Sequence, residues 1–201
     1  LSRLDLPEDE KQYKGHFIIQ GNFLRNTQRR EVVETVEHDL PMSLPEMRAL
    51  TALALREEDA GLFHGDVVGA YLKAKLRGRP VYARVPTSII KYWPKDVQKK
   101  YQNMKEPMVR VTRAMYGLYR ADKDWGDHRH GKMVAAGWEP LGQRIYKKKF
   151  RGKLVLTGVY VDDGLTSGDR KASLDAYNEI DNLFGYSDGP ENIKLFLGNH
   201  L

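Results

Sequence analysis

The strongest chemical signal in the sequence comes from three aspartates. Asp66 lies near the end of the short run Gly61-Leu62-Phe63-His64-Gly65-Asp66-Val67-Val68, and the pair Asp162-Asp163 follows the apolar run Leu154–Val161. An aspartate pair in a turn is ordinary by itself, because Asp bonds its own backbone there and tolerates unusual dihedrals. The context is less ordinary: two β runs, 96 residues apart at Asp66 and Asp162, each deliver carboxylate to their own end. If those strands are neighbours, three carboxylates converge. Such a group repels itself unless cations sit between its members, and Mg²⁺ suits carboxylates supplemented by water and phosphate oxygens. Two ions roughly 3.5–4 Å apart can activate an attacking hydroxyl and stabilise the leaving oxygen of an in-line phosphoryl displacement. That is polymerase or nuclease chemistry.

The elements that must position these groups can be read from periodicity. Pro45–Arg56 has Met47, Leu50 and Ala54 (or Leu53) at helical spacing, with Pro45 suited to a first turn. The Asp66 strand is followed by Gly69-Ala70-Tyr71-Leu72 turning into helix. Pro80–Pro86 alternates like an edge strand, Met108–Val111 resembles another, and an irregular helical insert separates them. A helix is expected from Asp122 to about Ala136, ended by Gly137. Two β runs, Gln143–Phe150 and Leu154–Val161, form a hairpin through Arg151-Gly152-Lys153, and Leu165–Gly168 returns as a further strand. Lys171–Phe184 presents Leu174, Tyr177, Ile180 (or Asp181) and Phe184 on one helix face, and a last strand is expected at Ile193–Leu197. Near the start, His16–Gly21 reads as a strand ended by glycine.

Composition narrows the function classes. A chain of 201 residues, 41% hydrophobic, is long enough to bury a real core as one compact unit. With no cysteine there is no disulfide framework, thiolate zinc site or cysteine nucleophile, and a reducing compartment fits. No apolar run approaches the roughly 20 residues of a membrane span, so no membrane partner is expected. Ser167 lacks a nucleophile elbow, and no glycine-rich phosphate loop is present. His128 and His130, two apart on a helix, point to different faces and make a poor zinc pair. The net charge of +6 is unevenly spread: Lys91–Lys153 holds 17 Lys/Arg against 6 Asp/Glu, a balance of +11, and the remainder is −5. This block, which includes Lys147, Lys148 and Lys149, reads either as a surface for a phosphate backbone or as a solvated lysine-rich face.

In order and spacing, three segments resemble successive motifs of a copia-type LTR retrotransposon reverse transcriptase. They are Asp66-Val67-Val68-Gly69-Ala70-Tyr71-Leu72, Ala114-Met115-Tyr116-Gly117-Leu118 and Tyr160-Val161-Asp162-Asp163. Val81–Pro86, Trp125 and Leu195-Phe196-Leu197-Gly198 extend the likeness over about Lys14–Gly198. The resemblance implies an α+β fold: a right-hand polymerase palm, with a ferredoxin-like antiparallel sheet and helices on one face, plus partial fingers. Fingers would span about 1–60 and 78–113, and palm about 61–77 and 114–201. The chain opens on Leu1 and is expected to be a fragment of a Pol polyprotein, without thumb or ribonuclease H.

The resemblance also implies RNA-directed DNA polymerase activity on an RNA or DNA template with primer, using deoxynucleoside triphosphates and two Mg²⁺ ions, or Mn²⁺ in their place. Asp66, Asp162 and Asp163 would be the catalytic metal ligands, with the Val67 backbone carbonyl as a further one. Gly69 and Ala70 would admit the triphosphate to the backbone. Tyr71 would be an aromatic gate against a 2′-hydroxyl, with core packing as the competing role. Gly117 would let the template–nucleotide pair approach, with a plain helix-start glycine as the alternative. Lys14 and Arg120 would contact phosphate, and a cytoplasmic virus-like particle or transposon ribonucleoprotein would house the protein. Some positions depart from the family pattern: Lys14-Gly15-His16-Phe17-Ile18 keeps one fully basic residue, Tyr119-Arg120-Ala121 replaces the usual Lys-Gln-Ala, and Val36–Pro41 replaces Phe-Ala-Pro-Val. The alternative function is a catalytically inactive transposon remnant that binds nucleic acid; a metal-dependent nuclease is weaker, since it gives Tyr71 and Gly117 no role.

Overall fold

A computed structural model describes residues 18–21, 24–26, 28–31, 39–142, 144–187, 189–192, 195–196 and 199–200. Its centre is one antiparallel sheet of six strands. In chain order these are β1 (Ala60–Asp66), β4 (Glu139–Pro140), β5 (Ile145–Phe150), β6 (Lys153–Tyr160), β7 (Asp163–Asp169) and β8 (Glu191–Asn192). A two-stranded ribbon of β2 (Val81–Arg84) and β3 (Met108–Val111) lies in a separate sheet, and β9 (Leu195–Phe196) pairs with β10 (Asn199–His200). The helices are α1 (Leu44–Ala54), α2 (Ala70–Lys73), α3 (Thr87–Ile90), α4 (Lys95–Tyr101), α5 (Ala121–Ala135) and α6 (Arg170–Phe184).

The six strands lie in the order β4-β5-β6-β7-β1-β8. Taken in chain order, β1, α5, β6, β7, α6 and β8 form a β-α-β-β-α-β unit with sheet order β6-β7-β1-β8, the split βαβ arrangement of ferredoxin-like folds. The β5–β6 hairpin closes through Arg151 and Gly152, both at positive φ (52° and 77°), the backbone twist that two-residue hairpin turns favour.

Alternation along the strands divides the core in two. Tyr146, Val155 and the α5 and α6 side chains Trp125, Met133, Ala176 and Ile180 pack on one face, as expected of helices sharing a face. On the other face α1 brings Met47, Leu50 and Ala54 against Leu62 and Leu165, a second layer that the expectation did not include. The Ser167 hydroxyl donates to Leu50 O at 2.5 Å, fixing α1 on that side. A capping box starts α1: Glu46 N–H donates to Ser43 Oγ, and Ser43 N–H to Glu46 Oε2 at 2.7 Å.

One expected strand differs, and another is described only in part. Of His16–Gly21, residues 18–20 carry no strand and the start lies outside the described residues; Ile19 N–H instead donates to Tyr116 O at 2.9 Å. Of Ile193–Leu197, only Leu195 and Phe196 are described, in β9.

Candidate active site

β1 and β7 are neighbours, and their register sets Asp66 directly opposite Asp163. Directly opposed residues in an antiparallel pair point to the same face with Cα atoms about 4.5–5.5 Å apart. Asp162 sits in the tight β6–β7 turn, where Tyr160 pairs with Asp163 and only Val161 and Asp162 lie between. Val67 N–H donates to Asp162 O at 2.9 Å, so the residue after Asp66 is tied to this turn.

Val161 has φ 58°, a left-handed conformation that a β-branched residue adopts at a cost of about 1–3 kcal/mol. Its carbonyl accepts from Trp125 Nε1 at 2.7 Å and Arg129 Nη1 at 3.3 Å. Beneath the carboxylates, on the opposite face, Tyr186 fills the space left by the paired glycines Gly65 and Gly164.

The electrostatics are those of crowded acids. Burial pushes the Asp162 carboxyl above its ordinary pKa, the charges of Asp163 and Asp66 push it the same way, and hydrogen bonds from its own backbone and from Tyr116 oppose the rise. Tyr116 is raised in turn, by burial first and then by Asp162 and Asp66. Tyr71 stands edge-on to Tyr116, with ring centroids 4.6 Å apart, and is pushed up to about 12 chiefly by burial. Asp163 Oδ1 lies 2.8 Å from His64 Nε2.

These donors have the chemistry for a hard divalent ion, since all are carboxylate oxygens. Among the described residues, however, no three His, Asp or Glu side chains are gathered as a group that could hold a metal ion.

The remaining expected site residues fall in different places. Gly69 has φ 60°, and a Cβ there would meet nothing nearer than Leu72 Cδ1 at 3.8 Å, while Ala70 is buried at the start of α2. Gly117 has φ 87° and is exposed, but a Cβ there would run into Ile19 O and Ile18 Cγ2, so packing against the chain's own residues 18 and 19 already calls for glycine. Arg120 turns inward: Nη2 donates to buried Asp124 Oδ1 at 3.1 Å, and this carboxylate holds the guanidinium pKa up. The three successive lysines divide. Lys148 donates to Ala136 O at 2.6 Å and to both Glu179 oxygens at 2.8 Å; Lys147 pairs with Glu139 at 3.0 Å; Lys149 is exposed. Lys14 lies outside the described residues.

Sequence reasoning gave His64, Arg129 and Tyr186 no part in the site and met Trp125 only as a point of likeness. His64 was accessible to it, since residues i and i+2 of a strand share a face and His64 stands two before Asp66. Trp125 and Arg129, i and i+4 on α5, also share a helix face.

The sequence profile of the reverse transcriptase (RNA-dependent DNA polymerase) family matches residues 4–201. The chain belongs to the reverse transcriptase family. No curated protein and no solved structure matches it. No helix among the described residues of this domain is long and apolar enough to cross a membrane.

Proposed function

We propose that the chain is the RNA-directed DNA polymerase core of a copia-type retrotransposon Pol polyprotein, with the six-stranded sheet as palm and the β2–β3 ribbon with α3 and α4 as part of the fingers. The observation that carries this reading is the register of β1 and β7, which sets Asp66 opposite Asp163 beside the turn bearing Asp162. Asp66, Asp162 and Asp163 would hold two Mg²⁺ ions, with the Val67 carbonyl as a further ligand. When bound, the ions would activate a primer 3′-hydroxyl and screen the charge on departing pyrophosphate.

The chain's own residues would do the rest. The backbone at Gly69 and Ala70 would receive the triphosphate of a deoxynucleotide. Tyr71, braced by Tyr116, would lie under its sugar and exclude a 2′-hydroxyl. Lys147 and Lys149, on the strand face opposite Lys148, would meet the nucleic-acid backbone. Lys14 and Arg120 would add phosphate contacts, the latter only on leaving Asp124. We place the protein in the cytoplasmic particle of its element.

Primer extension on an RNA template tests the reading: Asp162→Asn should abolish incorporation while leaving the fold intact, and retained activity would refute the carboxylate's role. The second reading, a nucleic-acid-binding remnant without catalysis, is favoured by the engagement of Asp163 with His64. It predicts salt-sensitive filter binding without Mg²⁺-dependent extension by the unaltered chain.

A further inference from the structure

The turn that carries Asp162 is held by contacts that none of the three motifs contains. Val161 has φ 58°, and relaxing it to negative φ rotates everything beyond its N–Cα bond, beginning with its own carbonyl and the Asp162 backbone. That carbonyl accepts from Trp125 Nε1 at 2.7 Å and Arg129 Nη1 at 3.3 Å, both donors on one face of α5. Arg129 is 4% exposed, and its Nη2 donates to Asp39 Oδ2 at 2.7 Å, so the donor is aimed by an acid from a segment preceding α1. Gly126 makes the approach possible, because a Cβ there would overlap the Asp39 carboxylate.

We propose that Trp125 and Arg129, the latter anchored by Asp39, are positioning residues that clamp the Val161 carbonyl and thereby fix the orientation of Asp162 toward divalent cations. Both act on the backbone of the turn. The clamp opposes the strain at Val161: without the donors a valine relaxes and carries Asp162 away, whereas a glycine at 161 keeps positive φ without steric penalty. The role toward cations rests on the metal-site reading above; the clamp on the turn does not.

The experiment is a double-mutant cycle of Arg129→Met with Val161→Gly, with two readouts on the whole chain. Mn²⁺ affinity is followed by electron paramagnetic resonance, with Asp162→Asn as the reference for loss of the site. Hydrogen exchange of the Trp125 indole N–H is followed by NMR without metal. Arg129→Met should weaken Mn²⁺ binding by roughly tenfold or more, as loss of groups that orient metal ligands does, and should speed indole exchange. Adding Val161→Gly should return both toward the values of Val161→Gly alone, which a merely structural arginine would not do. Wild-type indole exchange in a folded Arg129→Met chain, or no recovery on adding Val161→Gly, overturns the clamp. If Asp162→Asn binds Mn²⁺ like the wild type, the metal-site reading fails and the role toward cations fails with it, while the exchange readout still decides the clamp. Should Arg129→Met not fold, Trp125→Phe removes one donor while keeping an apolar ring, and the same loss of Mn²⁺ affinity and rescue by Val161→Gly are required of it.

Discussion

Replacing Gly117 with alanine separates two meanings of that glycine. Its φ of 87° costs an L-residue about 1–2 kcal/mol. The added Cβ would overlap Ile19 O and come within 2.9 Å of Ile18 Cγ2. The Ile18–Gly21 segment must then move, forfeiting the bond from Ile19 N–H to Tyr116 O, worth about 1 kcal/mol. The loss is therefore about 2–3 kcal/mol, capped because the segment can detach without opening the sheet. For a domain of this size that lowers Tm by roughly 4–12 °C. Calorimetry measures the shift, and hydrogen exchange at the Ile19 amide reports detachment. Gly21→Ala, whose Cβ would overlap Gly117 O from the other side, should detach the same segment with a smaller loss, since Gly21 carries no positive φ, although it belongs to no nucleotide-binding motif. If Gly117→Ala melts with the wild type and the Ile19 amide stays protected, close backbone packing is not what requires the glycine.

Other outcomes follow from the same geometry. Ser43→Ala removes the reciprocal cap of α1 and should cost about 1 kcal/mol, read as a lowered denaturant midpoint at unchanged slope. Because the folded-state pKa of Asp162 is raised, the folded metal-free chain binds more protons than the unfolded one above the ordinary carboxylate range. Its contribution to stability is thus complete below the unfolded pKa and lost as pH rises through the folded one. Asp162→Asn should stabilise the metal-free chain at neutral pH and erase that part of the profile, and equal pH profiles in thermal melts would contradict the burial of this carboxyl beside Asp163 and Asp66. Lys148→Glu sets an acid against Glu179 and should lower stability by about 2 kcal/mol or more in thermal melts. Lys149→Glu should leave the melt unchanged and weaken filter binding of nucleic acid at low salt.

The lysine run also shows what a one-dimensional reading captures and what it loses. Gln143–Phe150 was legible as a β run, and a strand of period two must send Lys148 to one face and Lys147 and Lys149 to the other. Treating the three as one basic block overlooked that consequence; Lys148 lies among Glu179, Trp138 and Phe150. The ends of β1 and β6 were legible because apolar runs stop at acids. Their meeting was conditional in the sequence, since Asp66 pairs with a residue 97 positions away, and only the sheet order decides it.

The support beneath the acids was not legible in any local pattern. Gly65 and Gly164 oppose one another in the register pair next to Asp66 and Asp163, and a Cβ on either would collide with Tyr186. Each glycine alone reads as a turn or a weak strand position; opposed, they form a slot for an aromatic ring from beyond α6. The ring in turn cannot leave easily, because Tyr186 N–H donates to Asp181 Oδ1 at 2.7 Å and the flanking Ser187 N–H donates to Asp66 O at 2.9 Å. The acids themselves therefore come from motif strands, whereas the elevation of those strand ends is set by a residue that only the closing segment of the sheet brings under them.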